Sequence, residues 1–186
     1  APSCFPAWIG NDLGNIRKVR RKTEKALPSG RVFYCPPQTH RQLRTGPARG
    51  INRTMPDTLR ITLAQLNQSV GDLDGNAEGV LAARKQARDC DLVVFPELHL
   101  IGYPPEDLIL KPALIERAAA RLQSLAEASA APGPAMLVGS AFVLDGALHN
   151  GVALLDQGKV QAVRLKHELP NYGTFDEMRL FQPGPL

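Results

Sequence analysis

Two ionisable residues stand where the neighbouring sequence gives them reason to do chemistry. Glu97 closes the apolar run Asp91–Glu97 (DLVVFPE), at the end of which a carboxylate is expected to be partly desolvated. A buried, unpaired charge is costly, so such a group is neutralised, paired or functional. The carboxyl ends of strands in open α/β sheets are also where ligands bind. Position alone leaves a second reading open, that of a solvated acid in a loop just past the strand. Lys166 closes the alternating run VQAVRLK and precedes HELPNYGTFDEMRLF. Beside a buried glutamate, a lysine keeps the carboxylate ionised and can stabilise an oxyanion as charge develops on a substrate carbonyl. Taken alone, a lysine ending a strand is usually just solvated. His99 and His167 flank these two residues without a clear role. None of the four histidines has a partner at metal-ligand or triad spacing, and the chain contains no Gly-x-Ser-x-Gly elbow or phosphate-cradling loop.

The elements that must position Glu97 and Lys166 follow from periodicity. Leu59 to Leu66 alternates as a strand, with Leu59, Ile61, Leu63 and either Gln65 or Leu66 near one face. A polar loop follows, and Asn76 is placed to cap a helix through about Cys90, with Val80, Leu81, Ala83, Ala87 and Cys90 as its apolar stripe. DLVVFPE reads as a short buried strand of the parallel kind. Pro104 and Pro105 open a helical stretch that is interrupted near Lys111-Pro112, because proline removes a donor and clashes with the preceding turn. Ala113 to Ala128 is strongly helical in composition. Strands at Ala135–Leu144 and Leu148–Leu155 join around Asp145-Gly146, a hairpin signal. Gln157-Gly158-Lys159 turns into a last strand from Val160 to about Lys166. Strand, helix, strand, helix and meander together predict an α/β or α+β fold with helices covering a sheet.

Charge divides the 186 residues in two. Residues 1–54 carry eleven Lys and Arg against two acids, a net of about +9, whereas residues 55–186 carry eleven bases against sixteen acids, about −5. The first segment lacks a sustained period and contains the run Arg17-Lys18-Val19-Arg20-Arg21-Lys22. It reads as a disordered or non-native basic extension, upstream of a true start at Met55. The competing reading is a basic arm on a non-catalytic protein that binds nucleic acid, and of the two a nucleic-acid partner is the less expected. The three cysteines, Cys4, Cys35 and Cys90, show no paired or metal-binding spacing. Neither a bilayer-spanning run nor a signal-peptide core is present. These features predict a reduced, cytoplasmic chain without a membrane or metal site.

The longer motifs carry a family resemblance. FPELHLIGYPPEDLILKP (Phe95–Pro112) resembles the glutamate motif of the carbon–nitrogen hydrolase, or nitrilase, superfamily, and LKHELPNYGTFDEMRLFQPG (Leu165–Gly184) resembles its lysine motif. ITLAQLNQSVGDLDGN (Ile61–Asn76) looks like the opening strand and loop of the same fold. The resemblance implies a nitrilase-like αββα sandwich, incomplete here, with residues 55–186 as the N-terminal part of the domain. PPEDL and LPNY-x-x-FDE are similar to the glutaminase domains of glutamine-dependent NAD+ synthetases. What this implies is that Glu97 is the general base and Lys166 the stabiliser of a tetrahedral intermediate. Tyr172 then lines the glutamine pocket, Glu177 supports the lysine, and Tyr103 gives structural support near a domain contact. The implied nucleophile is a cysteine beyond residue 186, so the chain by itself is expected to be inactive. A synthetase domain using ATP, Mg2+ and deamido-NAD+, and a homo-oligomer, are implied as partners; no cofactor is expected within this segment. Another amidase or carbamoyl hydrolase of the superfamily is the alternative enzyme.

Overall fold

The computed structural model describes residues 24–27, 30–34 and 58–185. Its frame is one seven-stranded sheet in which the strands lie in chain order. These are β1 (Glu24–Leu27), β2 (Gly30–Tyr34), β3 (Ile61–Leu66), β4 (Leu92–Val94), β5 (Ala135–Leu144), β6 (Ala147–Asp156) and β7 (Lys159–Leu165). The β3–β4 and β4–β5 pairs are parallel, and the others are antiparallel. The two parallel connections are long because each must carry a helix back across the sheet. Helix α1 (Leu73–Gln86) links β3 to β4, and α2 (Pro112–Ala128) links β4 to β5. A 3-10 turn at Glu106–Leu110 precedes α2, which then starts with Pro112 in its first turn, where the missing N–H costs nothing. A short helix, α3 (Glu177–Leu180), lies near the C-terminal end. Among the described residues no helix is long and apolar enough to cross a membrane.

Alternation was legible along β3, but the buried face is the other one. Thr62 and Ala64 are buried, whereas Leu59 and Leu63 are exposed. The core cluster joins Ala64 to Val80 and Ala83 of α1, to Val93 of β4 and to Met136 and Val138 of β5. The small side chains of Thr62 and Ala64 let α1 lie close, and the larger leucines are left on the opposite face. Leu63 and Val143 mark that face, which no described helix covers. Asn76 does not cap α1 either. Asp72 does, accepting from the Gly75 N–H at 2.9 Å, while Asn76 is buried inside the helix. Leu81, expected in the apolar stripe, is exposed. The two hairpins fall at the predicted turns. Asp145 and Gly146 take φ of 51° and 80°, and Gln157 and Gly158 take 52° and 80°, the left-handed pair that two-residue turns between twisted strands need.

The N-terminal segment also differs from its expectation in part. Strands β1 and β2 pair with each other and onto the free edge of β3, from Gly30↔Leu66 to Tyr34↔Thr62. Strands of four and five residues are too short to register as a sustained period. The rest of residues 1–57, and with it the expectation of a disordered or non-native extension, lies outside the described residues.

Candidate active site

Glu97 sits on a tight turn that leaves the end of β4 and is anchored on all sides. The Phe95 N–H donates to Leu137 O at 2.9 Å and the Leu100 N–H to Gly139 O at 3.1 Å, so both flanks of the turn are tied to β5. Leu98 takes φ of 47°, and the Ile101 and Gly102 N–H groups both donate back to its carbonyl. Leu98, Leu100 and Ile101 are fully buried, each worth roughly 1.5–3 kcal/mol in removed apolar surface. Under the turn lies Gly139, where a Cβ would come within 2.4 Å of Pro96 O and 2.6 Å of Leu98 N. The backbone approach that presents Glu97 therefore requires glycine at this point. Asn76 adds a tether from α1: its amide donates to Ser69 O at 2.8 Å and Leu100 O at 3.1 Å and accepts from the Ser69 N–H at 2.9 Å.

Lys166 arrives from the opposite direction. It extends β7 by one residue, its N–H donating to Asn150 O at 2.8 Å. The last described segment straps over this end of the sheet: the Gln182 N–H donates to Leu148 O and the Gly184 N–H to Lys166 O, both at 2.8 Å. His149 and His167 side chains hold the same strap through Nδ1 contacts to Gln182 O and Gly184 O. In the pairing of β6 with β7, Gly151 faces Leu165 and Val152 faces Arg164. Asn150, Val152, Arg164 and Lys166 consequently share the uncovered face of the sheet, where Glu97 overhangs it.

The structure brings Glu97, Lys166 and Glu177 together across 69 and 11 residues of chain. Lys166 Nζ lies 2.7 Å from Glu97 Oε1 and 3.0 and 2.8 Å from Glu177 Oε1 and Oε2. Asn150 Nδ2 donates to the same Glu97 oxygen at 2.5 Å. Glu177 is buried and opens α3, its N–H donating to Pro170 O at 3.2 Å. Arg179 clamps α3 through ion pairs with Asp107 and Asp176. Burial pushes the Glu97 carboxyl up, but hydrogen bonds from Lys166 and Asn150 outweigh it and hold the carboxyl below its ordinary value. Burial likewise pushes Lys166 down, yet Glu177 first and Glu97 second hold the ammonium above its ordinary value. Burial, followed by the charges of Glu177 and Glu97, raises Tyr103. Tyr103 thus stands within electrostatic reach of the cluster, half exposed beside it.

Tyr172 is placed differently from its expectation. It is 70% exposed, edge-on to Phe175 at 5.6 Å between ring centres, and does not line the cleft in front of Glu97. That cleft is walled by Pro96, Glu97, Asn150, Val152, Arg164 and Lys166 among others. Asn150 escaped the sequence reading. The signal for it was the polar break His149-Asn150-Gly151 inside an otherwise apolar strand. His99, fully buried, packs on Phe95 with ring centres 5.1 Å apart, and burial lowers its pKa to about 4. It is a neutral packing group under the turn. Its Nδ1 and Ser140 Oγ have no hydrogen-bond partner among the described residues. Cys90 is buried 2.7 Å from Thr62 Oγ1, just before β4, whereas Glu97 follows the far end of that strand. Seven residues of largely extended chain separate them by roughly 20 Å.

A model of the carbon–nitrogen hydrolase family matches residues 60–186. The glutamine-dependent NAD(+) synthetase of Rhodobacter capsulatus is 46% identical over 134 residues, covering 71% of this chain and 24% of the relative. The chain thus spans about a quarter of the length of the curated relatives it matches. Among solved structures, a glutamine-dependent NAD(+) synthetase from Cytophaga hutchinsonii superposes with a TM-score of 0.64 at 29% identity, over 68% of this chain and 22% of that one. An amidase from Nesterenkonia sp. AN1, bearing an adduct on its active-site cysteine, gives 0.58 at 25% identity, over 69% of this chain and 49% of that one.

Proposed function

The chain belongs to the carbon–nitrogen hydrolase family, and from that membership we propose that residues 60–186 form part of the amide-hydrolysing domain of a glutamine-dependent NAD+ synthetase. The observation that carries the reading is Lys166 Nζ held between Glu97 at 2.7 Å and Glu177 at 2.8 Å, at the mouth of a cleft. Glu97 is the base. It is ionised, and its paired oxygen is fixed by Asn150 and Lys166, which aims the rest of the carboxylate into the cleft. Lys166 is permanently charged and immobilised by the buried Glu177, so its field is in place before charge develops on a substrate carbonyl. Asn150 and Glu177 position these two groups.

Covalent hydrolysis of an amide then needs a cysteine thiol near Glu97: the carboxylate takes its proton as sulfur attacks the amide carbon and gives it to the nitrogen as the C–N bond breaks and ammonia leaves. The carboxylate then takes a proton from the water that hydrolyses the thioester, which frees the acid and the thiol. Cys90 is at the wrong end of β4 to serve. The nucleophile is a cysteine that follows the lysine motif in sequence order, and on this reading residues 1–186 alone release no ammonia. The same reading has the chain act in the cytoplasm, within a homo-oligomer, on glutamine as small-molecule substrate. The ammonia passes to a synthetase domain that uses ATP, Mg2+ and deamido-NAD+. The identity to the Rhodobacter capsulatus enzyme, well above that to the amidase, favours this over a free-standing amidase.

The test is a chimera in which residues 60–186 replace the matching segment of the Rhodobacter capsulatus enzyme. Glutamine-dependent ammonia release is expected from the chimera, with loss of at least about 100-fold on Glu97→Gln or Lys166→Met. A folded, active chimera indifferent to both substitutions overturns the assignment.

A further inference from the structure

Lys166 is not the sole cation in the cleft. Arg164 lies two residues before it, on the same face of β7, directly across from Val152. It walls the same cleft as Glu97 and Asn150. Its side chain is exposed, and among the described residues it makes no ion pair and no side-chain hydrogen bond. Lys166, by contrast, is already committed to two carboxylates. The catalytic cluster therefore stands at two negative charges against one positive. A substrate carboxylate placed beside it is repelled unless another cation receives it.

Resting on the reading of the site as a glutamine amidase, we propose that Arg164 is the specificity-determining residue that receives the α-carboxylate of an ω-amide amino acid, while Glu97 and Lys166 face its side-chain amide. The dimensions agree. Residues two apart on a strand are separated by roughly 6.5–7 Å. Four carbon–carbon bonds from the amide carbon to the carboxylate carbon of glutamine span about 5 Å, and a guanidinium makes up the difference. Its planar pair of donors also matches a carboxylate better than a lysine would. Val152, across the ladder from Arg164, offers an apolar wall along which the methylenes of such a substrate would lie.

The test uses the 186-residue chain, isotopically labelled, titrated with L-glutamine and with butyramide, which keeps the amide and lacks the carboxylate. Shifts of the Asn150 side-chain amide and the Lys166 ammonium report occupancy. Arg164→Met is expected to weaken glutamine about tenfold and leave butyramide unchanged, with Arg164→Lys between. Arg164 is exposed, so the variants are expected to keep the parent's circular dichroism and melting temperature. Equal glutamine affinity in Arg164→Met and parent, with both amides still perturbing Asn150, overturns the role of Arg164 while the amidase reading stands. No perturbation of Asn150 or Lys166 by either amide overturns that reading and the inference together.

Discussion

Lys166 holds two carboxylates, and they differ in what surrounds them. Glu177 is buried and offers both oxygens, whereas Glu97 is 43% exposed in its side chain and shares its paired oxygen with Asn150. The hydrogen bond to Glu177 is accordingly the first of the contributions that hold the ammonium up. Removing that charge by Glu177→Gln is expected to lower the Lys166 pKa further than Glu97→Gln does, read from its ammonium resonance against pH. A larger fall in Glu97→Gln would reverse the assigned roles. The pH dependence follows from the directions of both shifts. Glu97 is depressed, so its contribution is present above the ordinary carboxylate range and is lost as pH falls through its lowered value. Lys166 is raised, so its contribution is present below the ordinary lysine value and is lost as pH rises through the raised one. The Asn150 side-chain amide signal should therefore hold still from neutral pH down to the ordinary carboxylate range and move only below the ordinary glutamate value. Movement already between pH 5 and 6 would contradict a depressed Glu97. At this scale Glu97, Lys166 and Glu177 were legible because each belongs to a long motif. Asn150 was not, because a single polar residue in a strand has many causes. Tyr172 matched a motif position and still lies outside the cleft among the described residues, since exposure depends on what else covers a loop.

The elements succeed where the chain supplies its own punctuation. Asp145-Gly146 and Gln157-Gly158 set both hairpins, and Pro112 starts α2 where proline is tolerated. They were hardest to read where a tertiary neighbour decides. Which face of β3 is buried is settled by α1, and the cap of α1 by the loop that presents Asp72. Arg84 shows how far from sequence pattern such decisions lie. It is buried at the end of α1 and donates to carbonyls of Ala128, Ser129, Ala131 and Pro134, closing the C-terminal end of α2. The turn under Glu97 rests on an equally local condition at Gly139. Gly139→Ala is expected to cost roughly 1–3 kcal/mol, because backbone rather than a flexible side chain meets the added methyl. The same change should shift the Asn150 amide as Glu97 is displaced. Unchanged stability with an unmoved Asn150 signal would show that the turn does not lean on this position.

Across the whole molecule the two sheet faces are unequal. One is packed by α1 and α2, while the other carries exposed Leu63 and Val143 together with the cleft. Leu63→Lys is expected to change stability by less than about 0.5 kcal/mol and to reduce fluorescence of a hydrophobic dye bound to that face. A large loss of stability would mean that Leu63 is buried in solution. The order of strands has a consequence for how such a chain is made. From β3 to β7 each strand lies beside the one synthesised just before it. A ribosome delivering the chain from its N-terminus always presents the next strand to an edge that already exists, so nothing has to wait for a distant partner. The edge of β4 stays open longest, until the 40 residues between Val94 and Ala135 have been made, whereas β6 follows β5 after only Asp145 and Gly146. The cleft is the exception: Glu97 emerges early, and its carboxylate stays without its cation until β7 and α3 have left the tunnel.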